Sequence, residues 1–314
     1  MPEITLGSRV VSVDRHTLLL DALIDAGMAV PHSCRSGSCH ACLVRCHHGE
    51  LDNLQPDALD AAQYQAGWRL ACQSRVVGDV QITPFDPEHD GLSAHVTDLQ
   101  WLSPQVLRLR VLPARRIRYA AGQYMQLWLG GVARPYSLTS QPSDGLTLEF
   151  HVDCSANGAF TRQARVLSVE DGITLGPVQG GGLHYDPQWQ QAPLFMLGVG
   201  TGLAPLYAVL REALTQGHQG NIELWHVAAA GEHYLTSSLD GLAGSAPCRL
   251  QVSLLEPAQL PEALSQLRLV GRQTRALLCG PRVTLEATAK RLYLAGVPRN
   301  HILTDSFLPH ALGE

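Results

Sequence analysis

No run of eighteen apolar residues occurs in the 314 positions, so no helical membrane span is expected. The opening MPEITLGSRV lacks a basic segment followed by an apolar one, so no export signal is read. Clustered lysines and arginines long enough to track a phosphate backbone are missing too. With a net charge of −5, and 14 histidines counted as neutral, nucleic acid is excluded as a partner. Internal repeats and low-complexity tracts are absent. What remains is ordinary for a globular chain: 45% hydrophobic, 16% charged, mean hydropathy near zero. These absences together predict a soluble cytoplasmic monomer with no membrane or nucleic-acid partner, long enough for two or three domains.

A disulfide framework is also missing, since such frameworks belong to short secreted domains. Of the eight cysteines, Cys154, Cys248 and Cys279 are scattered, whereas Cys34, Cys39, Cys42 and Cys46 crowd into PHSCRSGSCHACLVRCHHGE, residues 31 to 50. The spacing is Cys34-x4-Cys39-x2-Cys42, with Cys72 after twenty-nine intervening residues. That is the plant-type [2Fe–2S] ligand pattern. A cluster needs four thiolates converging on a small volume, and Gly37 with Ser36 and Ser38 lets the backbone wrap closely. The fourth ligand is expected on a separate strand.

Rival metal readings fit the letters less well. A zinc ribbon wants paired C-x2-C knuckles, and only Cys39/Cys42 form one. Cys46-His47-His48 suggests half of a Rieske centre, but Cys72 is followed by Gln73, Ser74 and Arg75 where a histidine is required. A thioredoxin-type C-x-x-C opens a helix, whereas CHACLVRC reads as a strand. Residues 1 to 85, through CRSGSCHAC and RLACQSR, resemble a plant-type ferredoxin, a β-grasp domain. On that resemblance Cys34, Cys39, Cys42 and Cys72 are the metal ligands. Cys46 is then read as a buried core residue, and His40, His47 and His48 as a solvated rim that docks a partner together with Arg35.

Hydrophobic rhythm divides the rest. A break at 84 to 91 (PFDPEHDG) is followed by short alternating runs with frequent glycine and proline, the pattern of an all-β barrel. ARRIR, 114 to 118, reads as a solvated loop. From residue 192 apolar strands alternate with helices, which implies a parallel sheet. LGVGTGLAP, 197 to 205, follows a strand and opens a helix. Its glycines let a phosphate approach the backbone, and Pro205 sits where a missing N–H costs nothing.

AGQYMQL, RPYS (Arg134 to Ser137) and GAFT (Gly158 to Thr161), followed by LGVGTGLAP and CGP (279 to 281), resemble in that order the ferredoxin–NADP reductase superfamily. The chain is similar to the reductase components of bacterial multicomponent oxygenases, and to related reductases of deoxysugar synthesis. The resemblance implies a multidomain α+β and α/β architecture: a ferredoxin domain over 1–85, an antiparallel FAD-binding β-barrel over 92–188 and a Rossmann-like NAD(H)-binding domain over 190–314.

It also implies roles. Arg134 and Pro135 lie at the flavin phosphate edge, Tyr136 stacks on the ring and Ser137 faces N5. Gly158 and Thr161 present a helix N-terminus to the FAD pyrophosphate. Gly198, Gly200, Thr201, Gly202, Gly280 and Pro281 hold the dinucleotide. Cys279 lies by the nicotinamide, Phe307 shields the flavin, and Asp305 stands for the commoner Glu. Arg282 and Thr284 depart from the family's Pro and Met. NADH is expected over NADPH, because no Lys or Arg occurs from Glu212 to Cys248 to meet a 2′-phosphate. The implied function carries electrons from NADH through FAD and the cluster to an oxygenase or another protein acceptor. Two alternatives stand beside it: a flavin or small-molecule reductase, and a non-enzymatic metal or redox sensor.

Overall fold

The computed structural model describes residues 1–307 apart from 29, 33, 38, 181 and 268–270. Three main sheets follow one another along the chain. The first is built from β1 (Glu3–Leu6), β2 (Arg9–Ser12), β3 (Leu43–His48), β5 (Trp68–Leu70) and β7 (Val80–Pro84), in the order β2-β1-β7-β3-β5. Its central β1–β7 pair is parallel and its other pairs antiparallel. Helix α1 (Leu19–Asp25) buries Leu19, Leu20, Ala22 and Leu23, the 3.6-period face read from the sequence, in the core beside the sheet. A small ribbon, β4 (Leu51–Asn53) with β6 (Ser74–Val76), and helix α2 (Ala61–Gln65) complete this unit. Asp60 caps α2, its carboxylate accepting from Gln63 N at 2.7 Å.

The second sheet runs β11-β10-β13-β8-β9-β12. Its strands are β8 (Leu92–Trp101), β9 (Val106–Pro113), β10 (Gln123–Leu129), β11 (Val132–Ser137), β12 (Leu148–Asp153) and β13 (Gly172–Gly180). A bridge between Leu138 and Phe150 joins its two edges and closes the barrel. Helix α3 (Ala159–Ala164) inserts Phe160 into the barrel core.

The third sheet is wholly parallel, in the order β16-β15-β14-β17-β18. It comprises β14 (Leu194–Val199), β15 (Ile222–Val227), β16 (Leu250–Leu255), β17 (Arg275–Pro281) and β18 (Ile302–Phe307). Helices α4 (Leu203–Thr215), α5 (Thr236–Ser245), α6 (Leu260–Gln266) and α7 (Arg282–Leu294) alternate with them. The winding reverses between β14 and β17, which places a ligand crevice at the carboxyl ends of those two strands. Among the described residues no helix is long and apolar enough to cross a membrane.

The units are locked together. Trp128 and Ala133 of the barrel belong to the core of the first sheet, where Phe85 stacks on Trp128 with centroids 5.5 Å apart. Between barrel and third sheet, Arg211 grips Asp144 with two bonds of 2.6 and 2.9 Å, and Gln141 donates to the Ala208 carbonyl at 3.3 Å.

Candidate functional site

Three of the four cysteines named from the spacing sit on the loop between α1 and β3. Cys72 comes not from a strand, as the sequence suggested, but from a single 3₁₀ turn, Ala71–Gln73, between β5 and β6. That turn aims its backbone N–H at a neighbouring sulfur: Cys72 N donates to Cys42 Sγ at 3.4 Å. On the loop, Ser36 N and Cys39 N each donate to Cys34 Sγ at 3.3 Å, and Gln73 Nε2 reaches Cys72 Sγ at 3.5 Å. Contact with Cys39 and Cys72 holds the Cys34 thiol well below its ordinary range, while its contacts with Cys34 and Cys42 push Cys72 far up.

The four sulfurs thus form one chain of contacts, Cys39 with Cys34, Cys34 with Cys72 and Cys72 with Cys42. Among the described residues no group of three or more His, Cys, Asp or Glu is arranged around one ion. Four thiols converging on one small volume are the donor set that would hold a binuclear iron–sulfur cluster. The wrap is tight: a Cβ on Gly37, at φ +79°, would lie 2.7 Å from Gln55 Oε1. Arg35 and His40 are both left-handed, at φ 52° and 55°, which costs each about 1 kcal/mol and is retained where a loop must take one shape. Ser38 lies outside the described residues.

His40 is a correction. It was expected on a solvated rim with His47 and His48; those two are exposed, but His40 is buried. It faces the barrel, edge-on to Tyr124 at 6.3 Å, and lines a cleft with Gln126, Trp128 and Gln179. Burial lowers its pKa. Arg35 does stay exposed, paired with Asp21 at 2.9 Å. Cys46 is only partly buried, its thiol donating to the His48 carbonyl at 3.4 Å.

Arg134, Pro135, Tyr136 and Ser137 end β11, an edge of the barrel sheet. Tyr136 packs on Phe160 of α3 at 5.1 Å, so two segments twenty residues apart in sequence stand together. Arg134 spends one N–H on the Ala133 carbonyl at 2.8 Å. Gly158 is the N-cap of α3, and the Thr161 hydroxyl donates to the carbonyls of Ala156 and Gly158 at 2.7 and 3.1 Å, fixing the turn before it. Guanidinium, aromatic ring, hydroxyl and free backbone N–H groups form a donor set suited to a flavin and its phosphates.

At the crevice of the third sheet the glycines divide their work. A Cβ on Gly202 would lie 2.3 Å from the Cys279 carbonyl oxygen, and one on Gly280 would lie 2.7 Å from Val199 Cβ. Gly198 likewise has the Leu203 backbone at 2.8 Å. These three let the strand ends and the loop touch. Gly200 differs: its φ is +56° and nothing stands within 4 Å of its Cβ direction. That open position, beside Thr201 in the turn that leads into α4, leaves the backbone room to approach an anion.

Cys279 is fully buried, and burial followed by Asp305 pushes its thiol well above the ordinary range. Asp305 is its cross-strand partner on β18, and burial raises that carboxyl as well. Phe307 stands opposite Pro281.

The first sheet's region from residue 4 to 77 matches the family described as the 2Fe-2S iron-sulfur cluster binding domain. Terephthalate 1,2-dioxygenase, reductase component 1, of Comamonas sp. is 31% identical over 234 residues, covering 71% of this chain and 68% of that protein. The chain belongs to the ferredoxin–NAD(P)H reductase superfamily, in the branch with an N-terminal [2Fe–2S] domain. The aromatic O-demethylase reductase subunit of Amycolatopsis sp. (strain ATCC 39116 / 75iv2) is 28% identical across 98% of both chains. The crystal structure of the Amycolatopsis cytochrome P450 reductase GcoB superposes with a TM-score of 0.66 at 25% identity, over 98% of this chain and 99% of that one.

Within this reductase several residues that the motifs did not single out hold the centres together. Gln126 Nε2 donates to the Cys39 carbonyl, tying barrel to cysteine loop. Tyr124 opposes Ser137 across β10 and β11, and its phenol is pushed up by burial and then by Asp305, Cys39 and Cys34. His226 Nε2 lies 3.2 Å from the Gly200 carbonyl, which can only accept, so the proton is on Nε2. Burial, then His233, lowers the His226 pKa to about 4. AGQYMQL contained Tyr124 and Gln126 on one face of an alternating strand, but nothing in the letters said that this face meets the cysteine loop.

Proposed function

We propose that this protein takes reducing equivalents from NADH and delivers them one at a time to a separate oxygenase component or another protein acceptor. One observation carries the reading: Tyr124 is shared by three sites. It opposes Ser137 of the flavin tetrapeptide and lies within electrostatic reach of Cys34, Cys39 and Asp305. This supports a reading in which donor, intermediate carrier and exit lie around one partly buried tyrosine.

The proposed division into residues 1–85, 92–188 and 190–314 is supported by three sheets whose strands span 3–84, 92–180 and 194–307. Cys34, Cys39, Cys42 and Cys72 would hold the [2Fe–2S] cluster. Arg134, Pro135, Tyr136, Ser137, Gly158 and Thr161 would hold FAD. The bound flavin supplies the change from two-electron to one-electron transfer, and the cluster supplies a one-electron store. The chain's own contribution is placement. Gly198, Gly200, Thr201 and Gly202 seat the NADH pyrophosphate. Cys279, Gly280 and Pro281 back the nicotinamide, with Cys279 kept as a neutral thiol that packs rather than attacks. Asp305 and Phe307 close the crevice from β18.

NADH is preferred over NADPH on position. A 2′-phosphate would sit at the carboxyl end of β15, which runs into Ala228, Ala229 and Ala230 with no cation. Arg249 precedes β16, hence at the amino ends of the parallel strands, away from the carboxyl end of β15, and bonds Gln251 at 3.1 Å. Arg282 is occupied by Glu286 at 2.7 Å. A cytoplasmic setting, with its reduced thiols, suits eight cysteines that form no disulfide.

Anaerobic titration of the purified protein with NADH, and separately with NADPH, tests the reading. Flavin and iron–sulfur bands should both bleach with NADH at low concentration. A protein whose flavin alone bleaches, or which has no visible spectrum, would overturn the transfer sequence. Equal response to NADPH would overturn only the nucleotide preference.

A further inference from the structure

Strand β13 outruns one of its neighbours. Its pairing with β8 ends at Leu175 opposite Leu92, whereas its pairing with β10 continues to Gly180 opposite Gln123. Past Leu175 the barrel wall is completed by residues 90–92 and by the ARRIR loop after β9, and a cavity of about 450 Å³ opens there. Its floor is apolar, with Leu92, Met125, Leu175 and Val178. Its rim carries Arg115, Arg116 and Arg118, all exposed and without an ion-pair partner among the described residues. The one acid on the lining is Asp90, whose carboxylate already accepts from Asp86 N at 2.9 Å. Three guanidiniums against one carboxylate leave the rim cationic, on a chain whose net charge is −5.

Three unpaired arginines within four residues repel one another, and a bound anion removes that cost. The position says which anion. Gly176 and Pro177 line this cavity and also the cleft that holds His40 and Ala41, which lie between Cys39 and Cys42. The cationic rim therefore shares a wall with the seam behind the cysteine loop. An occupant here stands near the electron exit, and the guanidiniums lie on the open rim instead of closing over the apolar floor.

We propose that this arginine-rimmed cavity docks an acidic loop of the electron-accepting protein, its carboxylates on Arg115, Arg116 and Arg118 and an apolar side chain against the floor. The proposal rests on the electron-transfer reading above for the partner's identity as an acceptor. The charges would steer encounter and fix orientation more than they add affinity.

The full-length holoprotein is titrated at low ionic strength with fluorescein-labelled octaglutamate, read by anisotropy. The peptide should bind wild type and bind R115Q/R116Q/R118Q about tenfold or more weakly. It should bind R9Q/R15Q/R299Q, which loses the same charge elsewhere, nearly as wild type does. NADH-driven reduction of hexaammineruthenium(III), a small cation with no need of this rim, should be equal in all three. Equal peptide binding by the triple variant and wild type overturns the proposal, and so does an equal loss in the control. Complete displacement of the peptide by equimolar benzoate also overturns it, by making the cavity a small-anion site. The peptide titration needs no turnover, so failure of the electron-transfer reading would register separately, as wild type unable to reduce hexaammineruthenium(III).

Discussion

Gln126, on the second strand in from the barrel's edge, donates its side-chain amide to the backbone carbonyl of Cys39. One proposed cluster ligand is thereby held by a residue of the flavin-binding unit. Gln126→Leu should leave reduction of the flavin by NADH unchanged and slow bleaching of the iron–sulfur band by about tenfold or more, because small misplacements of reacting partners carry large rate costs. Stopped-flow absorbance separates the two phases. Slowing of both together would mean that Gln126 supports the fold and not the placement.

Cys72 arrives on a turn, and its thiol is both a neighbour of Cys34 and an acceptor from Gln73. Cys72→Ser should abolish the iron–sulfur absorbance while NADH still bleaches the flavin. Retention of a full cluster spectrum would remove Cys72 from the ligand set.

Gly200 and Gly202, two residues apart, should respond differently. In Gly202→Ala the new methyl meets backbone, the Cys279 carbonyl, so the loop itself must shift. A loss of about 2 kcal/mol or more in stability and a raised KM for NADH are expected. Gly200→Ala meets open space but keeps a left-handed φ, which costs about 1 kcal/mol. Equal thermal shifts for the two variants would contradict this division of labour.

His226 is neutral in the folded protein down to a pKa of about 4, whereas in the unfolded chain it titrates near its ordinary value of 6.5. Between those values the unfolded state binds the extra proton, so stability falls as pH drops from about 6.5 to 4. The full effect is about 3 kcal/mol. His226→Gln keeps a donor for the Gly200 carbonyl and removes the titration. Its melting temperature relative to wild type should therefore improve steadily on acidification through that window. A pH-independent difference would rule out His226 as the source.

The fold was largely legible because its signals are local. Alternation gave the barrel strands, the strand–helix rhythm gave the parallel sheet, and Gly-x-Gly-x-Gly fell at the carboxyl end of β14 where the winding reverses. The cysteine spacing was read in the same way. Less visible were α5 and β16: Thr236–Ser245 carries only one fully buried side chain, Leu239, and the amphipathic signal is faint. The burial of His40 is not legible in the letters, because a histidine beside two cysteines looks like a solvent-facing rim until the second unit is laid over it. Gln126, Tyr124 and His226 share that difficulty. Each acts across a junction between segments far apart in sequence, and no periodicity within one segment records what the other brings.

Trp128 seated on Phe85 has a consequence for how the molecule comes apart. An aromatic plug from the barrel forms part of the first unit's core, so the linker at 86–91 joins two bodies that melt as one. Excising residues 1–85 would uncover the Trp128 face, and an isolated N-terminal piece would lose the partner of Phe85. Trp128→Ala, at about 3 kcal/mol or more, should split a single unfolding transition into two. Exchange of this ferredoxin unit with that of a relative would succeed only if the plug travelled with it.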